Sequence, residues 1–372
     1  MKFESSLLED WMRDYYFDVD FDIGSSGVQD FSFRELRSLL GISVGELDDI
    51  VLRDSSSFGG DELRAAVADR WGNGNSDWVM VTHGASEAIY LVMSSLLEPG
   101  DELIAVEPVY HSHTSIARSL GSRVVPWKLR ENEGFAIDLA ELRQLISSRT
   151  KAIVVNFPHN PTGTTITEAQ RGELIDLADE AGAYLVWDAA FADLVYDADP
   201  LRDPTHDYAR AISIGTLSKG YGLPGLRFGW CTAHPDVLAA MVHLRDRMTL
   251  HLSPLIEFLG RQVARHADKL VGMRLTQARE NRELLIRWAA EHADLVDFAA
   301  PRGGVTAFPR IKGCADTVTL CRELAHDHRV LLVPGEAFER PGRVRLGFGG
   351  SGKTLAQGLD VVGGVLRNKS AG

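Results

Sequence analysis

The chain has 372 residues, 45% hydrophobic and 24% charged, so it is long enough for a substantial core and two structural units. Its 39 Lys and Arg against 52 Asp and Glu give a net charge of −13, which disfavours nucleic acid as a partner. The charge weakly favours cationic ligands and also fits solubility alone. Without a leader-like N-terminus, a bilayer-length apolar run or paired cysteines, we expect a cytoplasmic protein with no membrane or metal partner.

Short apolar runs rich in β-branched residues alternate with amphipathic stretches between about residues 79 and 231. Apolar strands separated by helices are typical of βαβ units, which build a mostly parallel sheet covered on both faces. We therefore predict an α/β fold. The predicted strands are "WVMVTHG", "DELIAVEP", "KAIVVNFP", "AYLVWDAAF", "RAISIGTLS" and "LRFGWCTA".

The chain after residue 235 has a different pattern. We predict a long helical stretch from about 235 to 292, broken at "LSPL" because Pro254 lacks a backbone donor. Strand-like runs around "ADTVTLCRELAHDH" then indicate a smaller α+β unit, on which the first thirty residues should pack. The predicted division is a large domain of residues 31–255 and a small domain of residues 1–30 and 256–372.

Polar residues follow the predicted strands where each strand ends. Ligands of open α/β sheets bind beyond the carboxyl ends of the strands, so these residues should meet at one edge. They are His83-Gly84-Ala85-Ser86, Tyr110, His159-Asn160-Pro161, Asp188 and Thr216-Leu217-Ser218-Lys219.

Each of these groups offers a different contact to a single ligand. Residues 84–86 open a helix whose free N–H groups can hold a phosphate, and Tyr110 has a flat face for an aromatic ring. Asn160 can bond a ring substituent, Asp188 can pair with a protonated ring nitrogen, and Lys219 can form an imine with an aldehyde. Pyridoxal 5′-phosphate (PLP), a phosphorylated pyridine aldehyde, uses all of these contacts. Taken singly, each residue also fits a turn, a helix cap or a solvated side chain.

The stretch "GTLSKGYGLPGLRFG" at residues 215–229 allows a second interpretation. Gly220, Gly222 and Gly225 match the pattern G-x-G-x-x-G, which is typical of a dinucleotide-binding turn. That fingerprint must open a helix, whereas Pro224 falls in the expected helix start and "LRFGWCTA" is typical of a strand. The glycines therefore indicate a tight turn around Lys219.

In combination, the motifs resemble the fold type I PLP-dependent enzymes of the class I/II aminotransferase family over nearly the whole chain. The segments that carry the likeness are "THGASEAIYL", "EPVYHSH", "NFPHNPTG", "VWDAAFADL", "GTLSKGYGLPGLRFG", "VPGEAF" and "RVRLGF". The resemblance implies a three-layer α/β/α large domain, a smaller α+β domain and PLP as cofactor. It also implies a homodimer with shared active sites.

The resemblance assigns roles to particular residues. Lys219 would hold the cofactor as an imine and later move the Cα proton, and Asp188 would pair with the pyridinium nitrogen. Arg345 would bind the substrate α-carboxylate as a bidentate partner. His113 either supports the aspartate or is simply a histidine on a helix face. The other implied cofactor contacts are Gly84, Ala85, Ser86, Tyr110, Asn160, Thr216 and Arg227.

Two positions depart from the family pattern. Phe191 replaces the tyrosine usually found three residues after the aspartate, so one hydrogen bond to the ring hydroxyl is missing. Asp54 replaces a tyrosine that commonly reaches the phosphate of the partner subunit, and an aspartate would repel that phosphate. Asp54 is either a solvated loop residue or a carboxylate that meets a cationic substrate in the neighbouring active site.

A narrower resemblance, to capreomycidine synthase and its relatives in streptothricin-type and viomycin-type pathways, rests on further segments. They are "LLEDWMRDYYF", "DIGSSGV", "FRELRSL", "WDAAFADLV" and "PRGGVTAFPR". It implies that Lys219 removes the Cα proton of a 3-hydroxy- or 3,4-dihydroxyarginine, water leaves from Cβ, and a guanidine nitrogen closes the ring. An ordinary aminotransferase, which moves an amino group to a 2-oxo acid, stays the alternative.

Such chemistry on a small cationic amino acid needs an acid for the hydroxyl and carboxylates for the guanidinium. The candidate acid is protonated Lys219 or His111, and His111 can equally be a surface residue. The other candidate substrate contacts are Asp30, Asp54 from the partner chain, Ser26 and Gly27.

Overall fold

The computed structural model describes residue 3 and residues 5–371. The N-terminal elements are α1 (Leu7–Tyr15), β1 (Phe21–Asp22), α2 (Phe33–Leu40), α3 (Val44–Asp48) and α4 (Asp61–Trp71). Helices α2 and α3 begin at capping boxes, in which Ser32 and Ser43 accept from the backbone N–H of Glu35 and Glu46 and the glutamate side chains accept from the backbone N–H of the serines.

A seven-stranded sheet lies at the centre of the protein. Its strands are β2 (Val79–Thr82), β3 (Glu102–Glu107), β4 (Arg123–Lys128), β5 (Thr150–Asn156), β6 (Tyr184–Asp188), β7 (Ala211–Thr216) and β8 (Gly229–Thr232). Their spatial order is β2-β8-β7-β6-β5-β3-β4, and the pairs are parallel except those of β8, which runs antiparallel to β2 and β7. The predicted mostly parallel sheet is confirmed.

Both faces of this sheet are covered. Because side chains alternate along a strand, Ile104 and Val106 of β3 join one buried apolar cluster and Leu103 joins another. The helices that follow the strands are α5 (Ala85–Leu96), α6 (His111–Ser119), α7 (Leu139–Leu145), α8 (Glu168–Glu180) and α9 (Pro235–Arg245). The α/β class predicted from the sequence is thereby confirmed.

Strand β4 is an element that the apolar pattern does not predict. Its sequence "RVVPWK" mixes charged residues with Pro126, which cannot donate to a neighbouring strand. The strand lies at the sheet edge beside β3, where one side needs no partner and a proline is tolerated.

The predicted break near Pro254 is confirmed, but the helical stretch is broken twice. Helix α9 ends at Arg245, and the next two helices are α10 (Pro254–Arg265) and α11 (Ala267–Glu291). Pro254 begins α10 rather than interrupting a helix, because the first N–H groups of a helix have no partner within it. The second break, at His266, has no proline or glycine to signal it.

The C-terminal part contacts the N-terminal residues. The remaining elements are β9 (Val296–Asp297), β10 (Thr306–Ala307), β11 (Arg310–Ile311), α12 (Thr317–His328), β12 (Val330–Leu331), β13 (Val333–Pro334), β14 (Val344–Gly347) and α13 (Gly352–Ala371). Strand β1 pairs in parallel with β12, and Trp11 Nε1 donates to Leu332 O at 2.8 Å. Strand β14 pairs with β10 and β13. None of the described helices has the length and apolarity to cross a membrane.

Candidate active site

A cavity of about 580 Å³ lies at the carboxyl ends of the central strands. Strands β5, β6 and β7 reach it through their last residues, Asn156, Asp188 and Thr216. The cavity brings together most of the residues singled out in the sequence. These are Ala85, Ser86, Tyr110, Asn160, Asp188, Thr216, Lys219, Arg227 and Arg345, together with Ser26, Gly27 and Asp30.

One end of the cavity is suited to an anion. Gly84, with φ of 82°, precedes the first turn of α5, whose free N–H groups attract negative charge. Its positive φ favours glycine, and a Cβ at this position would lie 2.7 Å from Arg227 Nη2, so glycine leaves room for the guanidinium at the helix end. Thr216 Oγ1 donates to Phe228 O at 3.0 Å and accepts from Ser218 N at 3.2 Å.

The Asp188 carboxylate is buried and held from two directions. One oxygen accepts from Ala190 N at 3.0 Å, and the other lies 2.9 Å from His113 Nε2. His113 is fully buried, so the structure places it against the aspartate and not on an exposed helix face. A carboxylate fixed in this way can pair with a protonated ring nitrogen.

Two asparagines lie beside this carboxylate. Asn156 is a residue that sequence reasoning missed, although it ends a predicted strand; its Nδ2 donates to Asp188 O and its Oδ1 accepts from Asn160 N. The Asn160 Oδ1 atom is buried without a hydrogen-bond partner among the described residues. Since buried polar atoms are normally satisfied, this amide is available to a ligand group such as a ring hydroxyl. Phe191, also in the cavity wall, offers no competing donor.

The Lys219 amine donates to Ser26 Oγ at 2.9 Å. Burial, followed by the nearby Arg345 guanidinium, lowers the pKa of Lys219 to about 8. A lysine with this pKa is partly neutral near neutral pH and can act as a nucleophile or base. Arg345 is itself buried and donates from Nε to Gly24 O at 3.0 Å. Burial lowers the pKa of Arg345 to about 10, so it stays charged and can receive a carboxylate.

The N-terminal residues bring carboxylates to the same cavity. Glu9, on α1, accepts from Tyr110 OH at 3.0 Å and lies 3.1 Å from His111 Nε2. The bond with His111 lowers the pKa of Glu9, and burial raises the pKa of Asp30. Sequence reasoning missed Glu9 and Asp22, which also line the cavity. The amphipathic "LLEDWMRDYYF" indicates a helix but not which of its carboxylates meets a residue 101 positions away.

Two candidate substrate contacts lie outside the cavity of the described chain. The Asp54 side chain is fully exposed and lies 3.2 Å from His251 Nε2. His111 is not among the described residues that line the cavity, and its Nε2 lies 3.1 Å from Glu9 Oε1. The structure therefore does not bring Asp54 or His111 to Lys219.

The residues that do meet fit a phosphorylated pyridine aldehyde. The Arg227 guanidinium lies beside Gly84 at the start of α5, where it can bind a phosphate. The buried Asn160 oxygen, which has no partner among the described residues, can bond a ring hydroxyl. The pair of Asp188 and His113 suits a protonated ring nitrogen, and the Lys219 amine suits an aldehyde.

Comparison with known proteins agrees with this geometry. Residues 54–362 match the family described as aminotransferase class I and II. Capreomycidine synthase of Streptomyces vinaceus is 46% identical over 367 residues, which cover 98% of this chain and 94% of that protein. The crystal structure of the PLP-dependent cyclase OrfR has a TM-score of 0.94 and 41% identity, covering 99% of this chain and 98% of that one. Aspartate aminotransferase of Thermotoga maritima is 29% identical over 315 residues, 83% of this chain and 82% of that protein.

Proposed function

The chain belongs to the aminotransferase class I and II family, and from this premise we propose that it is a PLP-dependent cyclase of a β-hydroxylated arginine. The substrate is 3-hydroxy- or 3,4-dihydroxyarginine, and the product is capreomycidine or a hydroxylated analogue. One observation carries the proposal: a single cavity holds the Lys219 amine, the Arg345 guanidinium and the carboxylates of Glu9 and Asp30. An α-amino acid with a cationic side chain needs an amine to move its Cα proton, a cation to bind its α-carboxylate and carboxylates to bind its side chain. The likeness to capreomycidine synthase supports the same assignment.

PLP is the cofactor of this enzyme, and when bound it supplies a conjugated ring that takes up the electron pair released at Cα. Residues 84–86 and Arg227 would hold its phosphate at the start of α5. Tyr110 would face the ring and Asn160 would bond the ring hydroxyl. Asp188, oriented by its buried histidine partner, would pair with the protonated ring nitrogen.

Two cationic side chains of the cavity act on the substrate. Arg345 binds the α-carboxylate with its guanidinium fork and so fixes the Cα–H bond relative to Lys219. Lys219 takes the Cα proton, because its lowered pKa leaves a neutral fraction to act as base. The same amine, once protonated, carries the proton that the departing hydroxyl needs.

The carboxylates of the N-terminal residues bind the substrate guanidinium. Asp30 is the first partner, because its carboxylate accepts no hydrogen bond from any described residue and burial raises its pKa. A guanidinium would satisfy that carboxylate. Glu9 is a second partner that already accepts from Tyr110. Asp54 can join them only from a second copy of the chain.

We further propose a homodimer, supported by an exposed apolar surface around Asp54. Val51 and Leu52 are 68% and 77% exposed, and Met248 and Leu250 are 49% and 53% exposed. The contact of Asp54 with His251 joins these two segments into one surface. A second copy covers this surface and brings its own Asp54 close to the neighbouring active site.

The second candidate function is that of an ordinary aminotransferase, favoured by the 29% identity to aspartate aminotransferase. Lys219, Asp188 and Arg345 serve both reactions equally. A transaminase passes the amino group to a 2-oxo acid, whereas the cyclase keeps it and loses only water. The cavity carboxylates weigh against a dicarboxylic substrate, because like charges repel.

The test is the product formed when the PLP-loaded protein is incubated with 3-hydroxyarginine, with and without a 4-hydroxyl, in the absence of any oxo acid. We expect a product lighter by one water that retains its α-amino group, detected by mass spectrometry. Turnover only after an oxo acid is added would show an aminotransferase instead. A Lys219→Ala variant, which cannot move the proton, is the control and should give no product.

A further inference from the structure

Residues 24–27 cross β14 at very short range. A Cβ at Gly347 would lie 1.7 Å from Ser25 O, so only glycine permits this crossing. On the other side, the backbone N–H of Val28 donates to Lys219 O at 3.0 Å. The segment is therefore fixed between β14 and the loop that carries the lysine.

The crossing holds the Ser26 hydroxyl against the Lys219 amine. Ser26 is only 5% exposed, lines the cavity, and accepts from Lys219 Nζ at 2.9 Å. A serine hydroxyl has one hydrogen to donate as well as lone pairs to accept with. No described residue accepts the Ser26 hydrogen, so it is available to a ligand in the cavity.

We propose that the Ser26 hydroxyl relays a proton from Lys219 to the β-hydroxyl that leaves the substrate; this inference rests on the proposed function. Lys219 first takes the Cα proton. The electron pair of that bond then forms the second bond between Cα and Cβ, while the Cβ–O bond breaks and leaves its pair on oxygen. The oxygen takes the hydrogen of Ser26, and Ser26 takes one from the lysine ammonium. One water, a neutral amine and an intact serine result.

The rival acid, His111, is less well placed for this step. Its Nε2 lies 3.1 Å from Glu9 Oε1, and its side chain does not line the cavity. Ser26 is the hydroxyl that is both in the cavity and bonded to the base. A relay through Ser26 also returns the proton taken from Cα, so no other acid is required.

The test separates proton removal from water loss. PLP-loaded variants are incubated with the hydroxyarginine substrate in deuterated water, and deuterium at Cα of remaining substrate is measured beside the cyclised product. In Ser26→Ala we expect Cα exchange at least as fast as in the wild type, because deprotonated substrate that cannot lose water is reprotonated at Cα. Product formation should be slower by about 100-fold or more, the usual contribution of a positioned acid. Ser26→Thr, which keeps the hydroxyl, should recover product formation. Ser119→Ala, at a serine of α6 that donates to Ile116 O and does not line the cavity, is the matched control and should match the wild type in both rates.

Three results would overturn the relay. Equal losses of exchange and product in Ser26→Ala would mean that Ser26 only positions the lysine, and wild-type rates would mean that it has no part. A wild-type protein that exchanges Cα but forms no cyclised product would overturn the proposed function and the relay together. Ser26→Gly is a second variant without the hydroxyl and should show the same split. Unchanged thermal unfolding and lysine-linked cofactor absorbance in both variants would exclude misfolding.

Discussion

At the scale of single residues, the site depends on two side chains whose partners set their chemistry. Lys219 is close to Arg345 and bonded to Ser26, and its pKa is lowered to about 8. Asp188 is buried, and its carboxylate accepts from Ala190 N at 3.0 Å and lies 2.9 Å from His113 Nε2. The site therefore combines a lysine of lowered pKa with a carboxylate that two partners hold in place.

The pKa of Lys219 predicts how PLP attachment to the apoprotein depends on pH. Only the neutral amine adds to an aldehyde, and burial together with Arg345 favours that form. The attachment rate should rise with pH to a plateau, with its midpoint near pH 8, followed by absorbance in a stopped-flow instrument. Replacing Arg345 by Gln removes a positive charge, so the midpoint should move to higher pH.

An ordinary lysine midpoint in the wild type would contradict this account of the amine. So would an Arg345→Gln midpoint that stays in place or moves to lower pH.

At the scale of elements, residues 5–30 supply groups that the central sheet lacks. This segment contributes no strand to the sheet, yet Glu9, Asp22 and Asp30 all line the cavity. The segment is fixed by the Trp11 bond to Leu332 and by the pairing of β1 with β12. Under the proposed function, the N-terminal segment therefore supplies the carboxylates that would select a cationic substrate.

Removing the Asp30 charge should weaken substrate binding without affecting the cofactor. We expect Asp30→Asn to raise the KM for hydroxyarginine about tenfold or more, because a hydrogen bond to a charged group contributes about 1.5–3 kcal/mol. PLP affinity, measured by absorbance titration, should not change. Asp54→Asn is the matched comparison, and a loss of affinity confined to that variant would assign the guanidinium to the partner chain instead.

The sequence predicts the site best where it lies at the ends of strands. Asp188 and Lys219 follow apolar runs, and parallel strands bring their carboxyl ends to one edge. Glu9 escapes prediction because an amphipathic helix does not reveal which distant residues it will meet. Strand β4 is not predicted because its proline and charged residues are untypical of a strand. The helix break at His266 is not predicted because no proline or glycine marks it.

At the scale of the whole molecule, the cavity is assembled from three distant parts of the chain. The N-terminal segment brings Ser26 and its carboxylates, the central sheet brings Asp188 and Lys219, and β14 brings Arg345. Residues 24–27 cross β14 so closely that only a glycine fits at position 347. The N-terminal segment and β14 therefore form one side of the cavity together. We propose that these two parts belong to one small domain, residues 1–30 and 256–372, beside a large domain of residues 31–255; residues 1, 2, 4 and 372 of that division lie outside the described residues.

The central claim, that the protein keeps the amino group and closes a ring, is tested most directly by following the nitrogen. The PLP-loaded protein is given hydroxyarginine labelled with ¹⁵N at the α-amino group, with 2-oxoglutarate present in excess as a possible acceptor. We predict that the label stays in a cyclised product lighter by one water. Label in glutamate, with an oxo acid derived from the substrate, would contradict the account and make the protein an aminotransferase.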